Sequence, residues 1–226
     1  MLKLILLLVI FLDLFLGFFV ISENRKSWNN RLFSLLSFFS AIWTFTNYMT
    51  GVYPTVFWLE STYAIGSLVL GTGLVWVFFL VDKILDTKKI FIVSLIAVSL
   101  FVSSYLEGFI AKKYEKIYLG GAFVGESGFG LIVYTLLFLT AVVVILYKLL
   151  FAWKQEINRE TKIGFLYVFY GALATLVISF LTSFIFPLFH IFTLSGLDSI
   201  GFLIFLSFIA YAITKHHLFN IKIIAT

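Results

Sequence analysis

Three ionisable side chains lie within long apolar runs or at their edges, where a charge is costly unless it is paired or neutral. Asp13 lies near the middle of the first run, and no Lys or Arg lies at a matching depth. It is therefore expected to be protonated or to face polar partners, either as a hydrogen-bonded packing group or as a ligand or proton site. Glu60 either reaches the headgroup region or contributes to a binding pocket. His190 suits either an interfacial position or a pH-sensitive switch.

A stripe of polar residues runs along one face of the second predicted helix, at spacings of three or four residues. It comprises Ser34, Ser37, Ser40, Thr44 and Asn47. Such a stripe is typical of close helix packing, with hydroxyl groups bonded across the interface or back to the backbone. The outer end of the stripe and neighbouring residues are predicted to form a ligand pocket, which has a carboxylate, an amide and aromatic walls. The predicted ligand-binding residues are Asp13, Trp43, Asn47, Glu60 and His190.

The residue types needed for catalysis or for cofactor binding are scarce. The chain has no Cys and three His, of which His216 and His217 are adjacent and so point in different directions on a helix. This pattern provides no metal-ligand spacing. The pairs Gly71-x-Gly73 and Gly128-x-Gly130 lack the third glycine and the flanking strand of a nucleotide-binding loop. We therefore predict no enzymatic activity, no metal and no cofactor.

The composition is that of a membrane protein. Hydrophobic residues make up 62% of the chain and charged residues 12%, with a mean hydropathy of +1.11. Soluble domains have about 25% charged residues. Because a helix needs about 20 residues to cross the hydrocarbon layer, the length has room for about seven spans. The net charge of +5 is distributed as short basic clusters between apolar runs, which indicates a membrane rather than nucleic acid as the partner.

The sequence predicts an all-α membrane protein in which residues 1–226 form one seven-transmembrane helix bundle. The predicted spans are residues 2–21, 32–50, 56–81, 90–106, 128–153, 163–186 and 199–214. Lys3 precedes the first run as in a signal peptide, but the run has span length, a central Asp13 and no clear cleavage site before Glu23. Residues 107–127 mix charges with aromatic residues and glycines, which predicts either an interfacial helix or a small hairpin.

The basic residues predict the orientation of the bundle. Of the 16 Lys and Arg, 12 fall in the tail and in or beside the loops after the first, third and fifth helices. The other four are Lys3, Lys112, Lys113 and Lys116. By the positive-inside rule, the side with 12 is cytoplasmic. The chain is thus expected to be multi-pass in the cell (inner or cytoplasmic) membrane, with its amino terminus outside and its carboxyl terminus in the cytoplasm.

The end of the final apolar run carries the clearest resemblance to a known family. Its sequence from Tyr211 to Lys222 is YAITKHHLFNIK. This is similar to the YAI-x-K/R-x-x-L-F-D-I exit from the seventh helix of the N-terminal seven-transmembrane sensor region of bacterial histidine kinases, with Asn220 where aspartate is usual. Further similarities, in order along the chain, are Asn30-Arg31-Leu32-Phe33 with Trp43 in the second helix, Gly171 in the sixth, and Pro187 at the end of the sixth.

This resemblance implies signal reception rather than catalysis. It implies a signal exit formed by Tyr211, Lys215, His216 and Phe219. The implied partners are the lipid bilayer, a small or lipophilic ligand of unknown identity, a cytoplasmic signalling module in cis or in trans, and a second copy of the chain in a homodimer. The chain has none of the phosphoacceptor or ATP-binding segments of a kinase. It is therefore expected to be a piece of a longer receptor, or to act with a separate partner.

The main alternative is a small ion- or proton-coupled transporter or channel, with Asp13 and Glu60 on the pathway. Such a protein predicts internal repeats, or helices broken by Gly or Pro at mid-membrane. The sequence shows no convincing repeat, and Pro54 and Pro187 lie near the outer ends of their helices. A membrane-embedded enzyme is a third reading, which lacks a plausible nucleophile and base or metal set.

Overall fold

The computed structural model describes residues 1–83, 86–186 and 189–215. These residues form helices joined by short loops, with one two-stranded hairpin. The elements are α1 (Leu2–Glu23), α2 (Trp28–Val52), α3 (Val56–Asp82), α4 (Thr87–Ser103), β1 (Ala111–Ile117), β2 (Phe123–Ser127), α5 (Phe129–Gln155), α6 (Arg159–Phe180, continued by a π-helical turn Leu181–Ile185) and α7 (Leu197–Lys215).

Five of these helices are long and apolar enough to cross a membrane, which confirms a helical, multi-pass membrane protein. They are α1, α3, α5, α7 and the segment Arg159–Ser183 of α6. Of the other two, α4 has only 17 residues, and α2 carries the buried polar stripe. The outward faces of α1 and α5 expose large apolar side chains, as expected of surfaces that contact lipid. Examples are Phe11, Phe15, Phe18, Ile132, Leu136 and Val143.

Six of the helices pack as a ring, and α4 lies outside it. Around the ring, α1 contacts α2, α2 contacts α3, α3 contacts α5, α5 contacts α6, α6 contacts α7, and α7 returns to α1. Helix α4 packs on the outside of α3, and α7 also reaches α2. The core of the ring is apolar and includes Phe33, Trp76, Leu149, Val168 and Leu206, all of which are fully buried.

Residues 107–127, for which the sequence left two alternatives, contain the hairpin. Strands β1 and β2 pair antiparallel between α4 and α5, with Ile117 opposite Phe123. Gly120 and Gly121 occupy the turn with φ of +88° and +76°, a conformation that glycine adopts without a steric penalty. The end of the bundle that carries the hairpin, where α2 ends and α7 begins, is called here the hairpin end, and the opposite end the loop end.

Polar side chains fix the starts of the helices at the loop end. Ser27 accepts a hydrogen bond from the backbone N–H of Asn30 at the start of α2. Asp86 and Asn158 do the same at the starts of α4 and α6. Such caps satisfy N–H groups that would otherwise lack partners in the first turn. They explain why α2 begins at Trp28, ahead of the apolar run from residue 32.

Ion pairs also gather at the loop end. Asp82, at the end of α3, accepts hydrogen bonds from Lys148 of α5 at 2.8 Å and from Lys89 of α4 at 3.1 Å. One carboxylate therefore ties three helices together. Lys83 and Glu156 form a further pair at 4.0 Å.

Candidate functional site

A cavity opens between α2, α3, α5, α6 and α7 in the half of the bundle nearer the hairpin. It consists of an outer chamber beneath the hairpin turn and an inner chamber deeper in the bundle. The two share five lining residues, which form the junction of the chambers. These junction residues are Trp43, Tyr134, Phe138, Ser179 and Asp198. The junction residues come from α2, α5, α6 and α7, and α3 contributes separate residues to each chamber.

The inner chamber is almost entirely apolar. Val69 and Leu70 of α3, Ile145 of α5, Leu176 of α6 and Phe205 of α7 contribute to its walls. Its empty space, including the part open to the outside, is about 750 Å³. An apolar cavity of this kind suits a hydrocarbon group, because no polar group of such a ligand would have to be left unpaired.

The outer chamber is more polar and larger, with about 1160 Å³ of empty space including the part open to the outside. Thr62 and Tyr63 of α3 and Ser183 of the π-helical turn line it, together with Ser195 before α7 and Asp198 in the first turn of α7. Gly120 and Gly121 of the hairpin turn also line it. The cavity therefore changes from polar to apolar with depth.

Asp198 is the acidic residue of this cavity. It lies in the first turn of α7 with 8% of its surface exposed, and its Oδ1 accepts a hydrogen bond of 2.7 Å from the N–H of Ser199. The N-terminal end of a helix favours a negative charge, because the backbone N–H groups of the first turn point toward that end. A buried carboxylate is normally paired with a cation or with several hydrogen-bond donors. Among the described residues, no Lys or Arg forms an ion pair with Asp198.

Aromatic rings flank this carboxylate. The rings of Tyr63 and Tyr134 meet edge to face with their centroids 5.2 Å apart, and those of Trp43 and Phe202 do so at 6.1 Å. Gly66 of α3 allows this arrangement, since a Cβ there would collide with the Tyr134 hydroxyl group. Helix α5 can therefore bring its tyrosine close to the backbone of α3.

The hairpin turn is bonded to the bundle as a roof over the outer chamber. The N–H of Gly120 donates to the Asn47 carbonyl at 3.2 Å, and the Thr50 hydroxyl accepts from the N–H groups of Gly120 and Gly121. On the other side, Ser195 donates to the carbonyl of Leu119. The turn thus bridges the end of α2 and the segment before α7.

The structure brings some of the predicted ligand-binding residues together and separates others. Trp43 lines both chambers. Asn47 is fully buried beside them, where its side-chain amide donates to the Ser199 hydroxyl at 3.0 Å. Of these two predicted residues, Trp43 therefore lines the cavity, whereas Asn47 lines neither chamber.

The other three lie elsewhere. Asp13 is fully buried between α1 and α2, where it accepts a hydrogen bond of 2.7 Å from Ser40. Glu60 is partly exposed on α3, and His190 is exposed in the segment before α7 with a φ of +59°. None of these three lines the described chambers. Asp13 thus has the environment of a packing group with one strong hydrogen bond.

The predicted signal exit is described in part. Tyr211 is partly exposed on α7 and packs against Tyr167 of α6, with ring centroids 4.9 Å apart. Lys215 is exposed at the end of α7. His216 and Phe219 lie outside the described residues, as does Pro187.

Sequence reasoning did not single out Asp198 or Tyr134 as site residues. An acidic residue in the first turn of an otherwise apolar final run was the available signal for Asp198. Tyr134 had no comparable signal, because tyrosines are common in apolar helices near the membrane interface. Tyr63 does lie on the same face of α3 as Glu60 and Ser67 in the sequence pattern.

Within the described residues, no cluster of three or more His, Asp or Glu is placed to hold a metal ion. Comparisons of the chain with protein-family models, with curated proteins and with solved structures find no match. The function must therefore be argued from the cavity itself.

Proposed function

We propose that this chain is the sensory input domain of a membrane receptor, and that a stimulus in the cavity acts through α7 on a cytoplasmic output module. One observation carries the proposal. Asp198, which lines both chambers, and Lys215, at the predicted signal exit, lie at opposite ends of the same helix. A ligand that contacts Asp198 therefore contacts the element that leads to the exit.

In this proposal all seven helices cross the membrane, with the hairpin end outside and the loop end in the cytoplasm. At about 1.5 Å per residue, even the 17 residues of α4 cover about 25 Å, close to the hydrocarbon thickness. The excess of Lys and Arg at the loop end supports this orientation. The capped helix starts and the partly exposed Asp82 pairs there are also suited to contact with water.

The transmission step requires two arrangements of α7. Helix α7 packs against α6, α1 and α2, so a shift at its hairpin end changes contacts along three neighbours. A ligand changes the balance of two states only to the extent that it binds one of them better. About 5.5 kcal/mol of preference converts a 1:99 population into 99:1. The cavity can supply such a preference, since α7 forms one of its walls.

The nature of the output follows from the resemblance of Tyr211–Lys222 to the exit of histidine-kinase sensor regions. The proposed partner is a cytoplasmic signalling module of that type, in cis or in trans, with the receptor acting as a homodimer. Of this exit, Tyr211 and Lys215 are described and lie on the last turns of α7. The motif supports the proposal by similarity alone.

The proposal can be tested by a distance measurement between two ends of helices. The chain has no Cys, so Arg25→Cys and Lys215→Cys create two unique sites for spin labels at the loop end. Both residues are exposed. The doubly labelled chain is diluted into excess unlabelled chain in lipid nanodiscs, so that only distances within one chain are measured. Electron–electron double resonance should then show two distance populations. Asp198→Asn, at the other end of α7, should change their proportions.

The matched control is Glu126→Gln, which removes a carboxylate from the exposed hairpin. It should leave the proportions unchanged. A single distance that Asp198→Asn does not alter would contradict the proposal. Transport provides a second discriminating measurement, because a sensor has no solute flux. If vesicles containing the chain conduct protons or ions, and Asp13→Asn abolishes that flux, the transporter alternative replaces the sensor.

A further inference from the structure

The cavity combines one carboxylate with walls that offer it no countercharge. Among the described residues that line the two chambers, Asp198 is the only acidic residue, and none is a Lys, Arg or His. Its neighbours at the junction are the aromatic rings of Trp43, Tyr134 and Phe138, with Tyr63 beside them. The ionised form of the Asp198 carboxyl group would therefore pair with a positive charge from outside the chain.

The aromatic rings of the cavity also favour a positively charged ligand. A cation over the face of a Trp or Tyr ring is attracted by the negative charge density of that face, most strongly where water is excluded. Recognition of substituted ammonium groups commonly uses several such rings. Trp43, Tyr63 and Tyr134 supply three rings next to one carboxylate, from α2, α3 and α5.

The remainder of the ligand is specified by the inner chamber. Its walls beyond the junction are mostly aliphatic and aromatic, with Val69, Val142, Ile145 and Leu176 among them. A hydrated or highly polar ligand would lose its hydrogen bonds there, whereas a hydrocarbon group would gain by leaving water. Asp198 lies at the junction where the inner chamber begins. A ligand that fills both places therefore carries its charge next to its hydrocarbon group.

From these observations we propose that the cavity binds a lipophilic organic cation. Its positively charged nitrogen lies between Asp198 and the rings of Trp43 and Tyr134, and its hydrocarbon part occupies the inner chamber. This inference rests on the proposed sensory function, for which it names the chemical class of the ligand. No bond is made or broken on binding.

The test uses a probe series rather than the natural ligand. Alkyltrimethylammonium ions with chains of four to ten carbons are offered to the chain in nanodiscs of zwitterionic phosphatidylcholine. Equilibrium dialysis of the labelled ions measures binding, with empty nanodiscs subtracted. We expect saturable binding that strengthens with chain length. 2,2-Dimethyldecane, the uncharged isostere of the octyl compound, should not displace that compound.

Two variants locate the head and the hydrocarbon chain separately. Asp198→Asn keeps the size of the side chain and should weaken binding of every member at least tenfold, whereas Asp13→Asn, outside the chambers, should leave binding unchanged. Val142→Phe fills part of the inner chamber. It should weaken binding of the octyl compound while that of the butyl compound changes less than twofold. The second variant keeps the test informative if Asp198→Asn does not fold.

The outcomes distinguish this inference from the proposed function. Absence of saturable binding by any member, equal binding by Asp198→Asn, or displacement by the uncharged isostere would overturn the ligand class. That result would leave the sensor proposal standing if the Arg25–Lys215 label distances still respond to Asp198→Asn. Binding that depends on Asp198, with label distances that never change, would support the ligand class and contradict the sensor.

Discussion

Asn47 of α2 donates a hydrogen bond of 3.0 Å from its side-chain amide to the hydroxyl group of Ser199, in the first turn of α7. Both side chains are fully buried, and Ser199 directly follows Asp198. The backbone carbonyl of Asn47 also accepts from the N–H of Gly120 in the hairpin turn. One residue therefore joins α2, the start of α7 and the roof of the outer chamber.

Asn47→Ala should destabilise the protein and loosen the start of α7. Loss of a buried side-chain hydrogen bond between helices costs about 1–2 kcal/mol. Reversible unfolding in mixed detergent micelles measures this loss. In a double-mutant cycle with Ser199→Ala, the two changes should be less than additive. Thr140→Val serves as the control, because Thr140 is exposed on α5 and its hydroxyl bonds within its own helix. Fully additive effects of Asn47→Ala and Ser199→Ala would show that the bond carries no stability.

The Asp82–Lys148 pair should contribute measurably to stability, and the Lys113–Glu126 pair should not. Asp82 and Lys148 are 2.8 Å apart, with about three quarters of each side chain covered, and they link α3 to α5. Lys113 and Glu126 are 3.7 Å apart in the hairpin and mostly exposed. Exposed pairs contribute about 0–1 kcal/mol. We expect Lys148→Met to cost about 1 kcal/mol in the same unfolding assay.

The salt dependence and a matched variant of Lys113 check this interpretation. The cost of Lys148→Met should shrink as the salt concentration rises, because salt screens the interaction. Lys113→Met should cost less than about 0.3 kcal/mol at any salt concentration. Equal costs for the two lysine variants would show that position and burial of the Asp82 pair do not matter.

Gly120→Ala should release the hairpin roof. The residue has a φ of +88°, and a Cβ there would collide with the backbone of Ser195 and Gly196 before α7. Neither the conformation nor the contact can be relieved by a side-chain rotation. Amide hydrogen exchange of residues 118–122 should accelerate, while that of the loop-end helix starts stays the same. Gly108→Ala is the control, since Gly108 also has a positive φ but its Cβ would only reach ordinary contact with Lys112 Cγ at 4.0 Å. Exchange that accelerates equally in both variants would attribute the effect to backbone strain alone.

The apolar runs were sufficient to predict where the helices lie, because burial in lipid requires continuous hydrophobic helices. The predicted span 56–81 corresponds to α3 at Val56–Asp82. Of the two predicted site residues on α2, Trp43 lines the cavity and Asn47 lines neither chamber. The rotation of a helix toward particular neighbours is a property of packing. Asp13 therefore faces Ser40 across the α1–α2 interface rather than the cavity, which its position along the helix could not reveal.

The same limit applies to the residues that sequence reasoning missed. Tyr134 and Asp198 are 64 residues apart, and only the packing of α5 and α7 around one cavity brings them to the same junction. The hairpin had turn glycines and mixed charges in its sequence, but its hydrogen bonds to Asn47 and Thr50 depend on where α2 ends. The positions of the helices along the chain were thus predictable, and contacts between distant elements were not.

Gly66→Ala should narrow the junction of the two chambers without destabilising the fold. A Cβ at this position would collide with the Tyr134 hydroxyl and lie 3.3 Å from Trp43 Nε1. The tyrosine is the end of a movable side chain, so it can shift into the cavity at modest cost. Alanine also stabilises a helix relative to glycine by about 1 kcal/mol, which offsets that cost.

For Gly66→Ala we expect a free energy of unfolding within about 1 kcal/mol of that of the unchanged chain. Binding of octyltrimethylammonium should be at least fivefold weaker. Thr72→Ala also raises helix propensity in α3, but Thr72 lines neither chamber, so this variant should leave binding within twofold. Weakened binding in both variants would mean that helix propensity in α3, rather than the position of Tyr134, controls access to the inner chamber.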